Sequence, residues 1–308
     1  MSQEDSLLHQ LMIDLEKFTV KEQEKMNVRR FLLENEEGKQ FRLDNLNEGS
    51  FLVSPSDLGY SYEINFVQLG CDFIENNKKI QQKNPKGTAY FKSYDKVKEF
   101  IDYVENSKTL RWLYIIPFES GEKTYYRDVT NVKLDKTEKS GKWLACPIEF
   151  ASKSLWYEQN ETIFKIETYE DEMRYPYVWN SRYINYNARA IQFDNRGHVE
   201  APIKVEIDGF VQNPTISIFI EDTEYASIKV PITINEYEKL LYSSRTGEIY
   251  IQKQNTDGTK ESLWKKEYID ITKSNIFKLP LGASEIRLTA DDDVLNAKLT
   301  VFPQYKAV

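Results

Sequence analysis

Apolar residues return at every second position along most of the chain, and the period lengthens to three and four at two places. The first is the N-terminus, where Leu8, Leu11, Met12, Leu15 and Phe18 fall on one face of a helix, with Asp5 or Ser6 as its cap. A polar run completes residues 1–26. From Val28 the period is two. Arg30-Phe31-Leu32-Leu33-Glu34 and Lys39-Gln40-Phe41-Arg42-Leu43 flank Asn35-Glu36-Glu37-Gly38, which reads as a hairpin. A loop at Ser54-Pro55-Ser56-Asp57-Leu58-Gly59 follows, and residues 60–65 and 71–80 read as extended. The second helical stripe is Tyr94, Val97, Phe100, Ile101 and Val104, with Ser93 placed as N-cap and an end near Glu105-Asn106-Ser107. Strands are then expected over residues 110–117, 125–134 and 143–150, joined by polar, glycine-containing loops.

The second half contains only short strand candidates: residues 188–193, 201–208, 215–220, 227–232, 248–252, 262–268, 275–279, 285–289 and 297–302. Gly209, Asn213-Pro214, Gly247, Asn255-Thr256-Asp257-Gly258 and Pro280-Leu281-Gly282 punctuate them. Many short strands with frequent turns predict a sandwich or jelly roll. Residues 157–163 are polar and acidic and mark a boundary. At 308 residues the chain has length for about two domains. The expected division is a helical extension over residues 1–27, a first domain over 28–156 and a second over 157–308.

Composition narrows the classes. Aromatic residues make up 13% of the chain, which favours strands. The formal net charge is −8, so the global basic footprint of a nucleic-acid binder is absent. Mean hydropathy is −0.61 and no apolar run is long enough to insert in a membrane. The start, Met1-Ser2-Gln3-Glu4-Asp5, is acidic where a secretory signal is basic, so that route of export is not expected.

Candidate chemistry is sparse. Cys71 and Cys146 lie in strand-like runs and read as reduced, buried thiols. His9 and His198 are the two histidines, so a Ser-His-Asp or Cys-His apparatus would have to use one of them. Phosphate-cradling glycine loops, HExxH, CxxC and GxSxG are all missing, and no cofactor is expected. Asp291-Asp292-Asp293 lacks the alternating ligands and glycine of a calcium loop, and no metal site is expected. Glu158, Glu161, Glu170, Asp171 and Glu172 read as a polar linker, although a glycosidase pair could be drawn from them. Asn160-Glu161-Thr162 matches a glycosylation sequon that has no export signal to accompany it. Tyr175, Tyr177, Trp179, Tyr183 and Tyr186 form an aromatic cluster that either packs or stacks a sugar ring.

The order of elements carries a resemblance. Cys71-Asp72-Phe73-Ile74-Glu75 leads to the Ser93 helix, then to Leu110-Arg111-Trp112-Leu113-Tyr114, Tyr125-Tyr126-Arg127-Asp128-Val129 and Trp143-Leu144-Ala145-Cys146-Pro147-Ile148-Glu149-Phe150. Arg189-Ala190-Ile191-Gln192-Phe193, Ala201-Pro202-Ile203-Lys204-Val205-Glu206-Ile207-Asp208-Gly209, Asn213-Pro214-Thr215-Ile216 and Phe277-Lys278-Leu279-Pro280-Leu281-Gly282 follow. Over about residues 28–308 this resembles the distal tail proteins of siphophages infecting Gram-positive bacteria. The resemblance implies a mainly β fold. An N-terminal belt domain, a β-sandwich or split barrel with one helix and a projecting hairpin, precedes a C-terminal galectin-like β-sandwich. It further implies a non-catalytic hexameric ring at the virion tail tip, made in the host cytoplasm. That ring joins the tail tube protein to the tail-associated tip protein and, often, to receptor-binding proteins. Residues 1–27 depart from the family, whose belt starts close to the first residue. Leu8, Leu11 and Leu15 are therefore candidate interaction residues, docking either on the chain's own belt or on a neighbour, and Trp179 is a fourth candidate. The rival readings are a carbohydrate-binding adhesin module that uses the aromatics around Trp179, and a hydrolase that uses the linker carboxylates.

Overall fold

The computed structural model describes residues 29–139, 141–164, 190–264, 276–291 and 296–308. The expected N-terminal helix, with Leu8, Leu11, Met12, Leu15 and Phe18, lies outside the described residues, as does His9. The chain divides into two units, Met1–Leu155 with Ala307–Val308, and Trp156–Lys306.

In chain order the first unit holds β1 (Arg30–Asn35), β2 (Gln40–Arg42), β3 (Asp44–Asn45), β4 (Ser50–Ser56), β5 (Tyr62–Leu69) and β6 (Asp72–Ile80). Then come β7 (Lys86–Phe91), helix α1 (Tyr94–Asn106), β8 (Leu110–Phe118), β9 (Gly121–Leu134) and β10 (Leu144–Ser152). The main sheet runs β2-β1-β8-β9-β10-β7-β4-β3, with antiparallel neighbours. The expected first hairpin forms: Asn35 Oδ1 accepts from the N–H groups of Glu37 and Lys39, and Gly38 takes φ 77°. Leu43 donates its N–H to Phe31 O and accepts from Leu52 N–H, so the two ends of the strand order meet and the sheet curls.

The inner face carries Leu33, Phe91, Trp112, Leu144, Cys146, Ile148 and Phe150, all buried. Such aromatic and aliphatic side chains stabilise the fold by roughly 1.5–3 kcal/mol each. Ser93 caps α1 as expected, its Oγ accepting from Lys96 N–H at 3.2 Å. Val97, Phe100 and Val104 of the expected stripe are buried, whereas Tyr94 and Ile101 stay exposed. Tyr103 takes their place, its single hydroxyl proton lying between the carbonyls of Lys39 (2.7 Å) and Leu33 (3.1 Å). Phe100 packs between Phe41 and Phe91 at 5.1 and 5.4 Å.

The second unit begins with β11 (Trp156–Tyr157), β12 (Asn160–Phe164), β13 (Ala190–Asn195), β14 (Ile203–Asp208), β15 (Val211–Gln212) and β16 (Thr215–Ile220). It continues with β17 (Thr223–Lys229), β18 (Thr233–Ile234), β19 (Lys239–Ser243), β20 (Tyr250–Gln254) and β21 (Lys260–Ser262). The last are β22 (Gly282–Thr289), β23 (Asn296–Val301) and β24 (Gln304–Tyr305). One sheet is ordered β12-β23-β14-β19-β20-β21 and another β13-β22-β16-β17. Val205, Tyr242, Ile251 and Leu299 of the first share one core with Ile216, Ile218, Ile286 and Leu288 of the second. That makes a β-sandwich.

Three expectations need correction here. Residues 157–163, read as a polar linker, supply the end of β11 and most of β12, with Asn160 opposite Val301 and Glu161 paired to Lys298 at 2.9 Å. An edge strand keeps a solvated face, so polar composition does not mark it as a connection. Residues 275–279, expected as a strand, make only an isolated bridge, Ala201 to Leu279, within their described part. Phe277 N–H donates to the Tyr242 hydroxyl instead of to a ladder. The strand expected from Ser227 begins at Thr223, and that expected over 262–268 is described only to Trp264.

Candidate interaction surface

Two strands stand apart from the first unit's core. Among the described residues β5 and β6 pair only with each other, Tyr62 opposite Ile80 and Leu69 opposite Asp72. The connection is the two-residue turn Gly70-Cys71, and Gly70 has φ 65° while Cys71 does not enter the left-handed region. That is the glycine position of a type II′ hairpin turn. Nine residues in β6 give an arm about 30 Å long.

The arm's two halves differ. Near its root it carries Glu63, Asn65, Asn76, Asn77, Lys78 and Lys79 beside Tyr62, Ile64 and Ile80. A register shift between Asn65 and Phe66 then changes which side chains face which way. Beyond it Val67 faces Ile74, with Leu69 on the same side, while Phe66 and Phe73 occupy the other side. Both faces of the distal half therefore carry apolar side chains, with Asp72 on the first and Gln68 and Glu75 on the second. Phe66, Val67, Leu69, Phe73 and Ile74 are all at least 48% exposed, and Phe73 reaches 67%. Scattered exposed apolar residues need no explanation, but a contiguous group marks a surface that another molecule covers. A two-stranded hairpin is also marginal alone in water.

Cys71 sits at the tip of this arm and is exposed, which corrects the expectation of two buried thiols; Cys146 is buried in the first unit. The sequence placed extended structure at 60–65 and 71–80 and missed residues 66–69. The signal was there: Phe66-Val67-Gln68-Leu69-Gly70-Cys71-Asp72-Phe73-Ile74 is an apolar run broken at a glycine. Apolar residues on both faces destroy the period-two alternation that marks a half-buried strand.

The other candidates are structural or undescribed. His198 Nδ1 accepts from Lys306 N–H at 3.1 Å, and its ring meets Tyr305 edge-on at 5.5 Å. Asp291 accepts from Asn213 Nδ2 and Lys229 Nζ, the first of which chiefly holds its carboxyl below the usual range. Asp292 and Asp293 lie outside the described residues, as do Glu170, Asp171, Glu172 and the cluster around Trp179. Leu8, Leu11 and Leu15 are outside them too. Among the described residues no group of three or more His, Cys, Asp or Glu could hold a metal ion, and no helix is long and apolar enough to cross a membrane.

Comparison with known proteins agrees with the resemblance read from the sequence. Residues 30–153 match the family model of the distal tail protein N-terminal domain. A chain of the phage P2 baseplate in its activated conformation with Ca superposes with a TM-score of 0.62 at 17% identity, covering 91% of this chain and 100% of that one. The same baseplate with Sr gives 0.61 at 17% identity, with the same coverage of 91% and 100%. The SPP1 Dit protein, described as a paradigm of hub adsorption apparatus in Gram-positive infecting phages, gives 0.52 at 10% identity, covering 88% and 98%. No curated protein matches the chain. At these identities the structural likenesses establish the fold, and the family match extends over residues 30–153.

Proposed function

We propose that the chain is a non-catalytic structural subunit of a siphophage tail tip. It forms a closed ring, six-membered by its resemblance to ring-forming hubs, that joins the tail tube to the tip and host-adsorption proteins. The first unit acts as the ring-forming belt, and the second, as a galectin-like sandwich, is a docking platform. The observation that carries this reading is the arm. Its distal half exposes Phe66, Val67, Leu69, Phe73 and Ile74 on two faces, and a subunit that keeps such an arm in water needs a neighbour to cover it. An arm on one copy received by a different surface on the next is a heterologous contact, which makes a ring when the rotation between copies closes. The family match over residues 30–153 and the fold shared with baseplate and hub proteins support the same assignment.

Light scattering on the purified full chain, with negative-stain class averages, tests it. A ring is expected at micromolar concentration. Phe73→Asp with Ile74→Asp, both on the exposed arm, should convert the ring to monomer and leave the circular dichroism of the folded subunit unchanged. A chain that stays monomeric at all concentrations, or a double variant that still assembles, would overturn the reading.

A further inference from the structure

The arm's two faces are unequal in extent. Tyr62, Ile64 and Phe66 alternate with Glu63 and Asn65 and so share one side, where Ile80 stands opposite Tyr62. Beyond the register shift the same side continues with Phe73, opposite Gln68. Tyr62 and Ile64 are half-buried, whereas Phe66, Phe73 and Ile80 are exposed. The polar side chains on this track are Gln68, Glu75 and Lys78, the last with its ammonium 4.4 Å from the centre of the Tyr62 ring. From Tyr62 to Gln68 the track runs about 20 Å. The other side is apolar only at the tip, with Val67, Leu69 and Ile74, and carries Glu63, Asn65, Asn77 and Lys79 toward the root.

A two-stranded ribbon with an apolar face becomes stable when a third strand or a helix packs on it. Among the described residues β5 and β6 have no third strand. The sequence holds a segment with the reciprocal need. Leu8, Leu11, Met12, Leu15 and Phe18 recur at helical spacing, and so short a helix is marginal in water until its stripe is buried. From Leu8 to Phe18 such a helix measures about 15 Å, which fits within the long track of the arm. The 11 residues 19–29 lead from Phe18 to β1. Extended, they reach up to about 36 Å, more than the length of the arm. So short a tether holds the stripe at high effective concentration around its own arm.

We infer that the stripe of Leu8, Leu11, Met12, Leu15 and Phe18 packs on the arm of the same chain, over the face that carries Tyr62, Ile64, Phe66, Phe73 and Ile80. This contact goes beyond the self-assembly proposed above and does not depend on it. Its consequence is directional. An arm that is apolar on both faces can be received either way up. With the long face covered by its own helix, Val67, Leu69 and Ile74 form the side left to a partner, and the arm docks in one orientation.

Cysteine pairs in the full chain test the contact, with Cys71→Ser removing the exposed thiol and Cys146 left buried. Asp14→Cys or Glu16→Cys, at the two borders of the stripe, is combined with Gln68→Cys on the long face and treated with a short bismaleimide. A link within one chain is expected, mapped by proteolysis and mass spectrometry. It should be at least tenfold weaker with Asn65→Cys, on the opposite side of the arm. Leu11→Asp with Leu15→Asp should abolish the link and speed amide hydrogen exchange across residues 62–80 at least tenfold, while exchange in β8, β9 and β10 holds. Mixing Asp14→Cys chains with Gln68→Cys chains should give no link between chains. Equal linking to Gln68→Cys and Asn65→Cys, arm exchange unmoved by the paired aspartates, or a link formed only between mixed chains would overturn the inference. If light scattering shows a monomer while the link within the chain forms, self-assembly falls and this contact stands. A ring without the link means the reverse.

Discussion

Tyr237 is in the left-handed region at φ 67° and is 78% exposed, the most open large apolar side chain among the described residues. Its turn is held shut from both sides. Glu238 N–H donates to Asn235 O, and the Glu238 carboxylate accepts from Asn235 N–H at 2.8 Å, Asn235 Nδ2 at 2.9 Å and Lys253 Nζ at 2.7 Å. Lys253, then Asn235, hold that carboxyl below its usual range. A β-carbon at positive φ costs about 1–2 kcal/mol, whereas glycine returns roughly 0.5–1 kcal/mol of that through its freer unfolded chain. Tyr237→Gly should therefore raise stability by about 0.5–1 kcal/mol, read from the midpoint of urea unfolding. A loss of stability would mean that the ring contributes packing its exposure does not reveal.

At the scale of elements, legibility followed burial. The Ser93 helix and the Asn35–Gly38 hairpin were readable because each has one wet face, one dry face and a side chain that caps or turns the backbone. β19, Lys-Leu-Leu-Tyr-Ser, escaped because four of its five residues are buried and its alternation is gone. The β16–β17 turn escaped for a different reason. Its two residues are Glu221 and Asp222, at φ 47° and 64°, where a two-residue hairpin normally announces itself with Asn-Gly. Replacing them by Asn and Gly should stabilise the protein by roughly 1 kcal/mol, seen as a higher melting temperature. An unchanged or lowered value would show that the acidic pair is held by more than its own turn. The interaction surface was the least legible part. A strand that is apolar on both faces looks like core when only the sequence is read, and its exposure is a property of where the chain places it.

For the whole molecule, the strands of the second unit's two sandwich sheets find all their partners in those sheets, between Asn160 and Val301. A fragment covering residues 156–308 should fold by itself and unfold cooperatively by circular dichroism; a fragment without β signal would mean that the unit depends on the rest of the chain. Its outermost pairing, Trp156 with Tyr305, joins the two ends of the unit, so that closure is expected late in folding. The arm imposes a different condition on the newly made chain. Among the described residues its two strands bond only to each other, which leaves a backbone edge along each outer side. Between Glu63 and Asp72 the sequence is uncharged, β-prone and free of proline, the composition that nucleates cross-β stacking. Glu63, Asp72, Glu75, Lys78 and Lys79 flank this stretch as gatekeepers. Free subunits thus carry an aggregation hazard that lasts as long as they stay unassembled, and the yield of soluble protein becomes a race between orderly closure and precipitation.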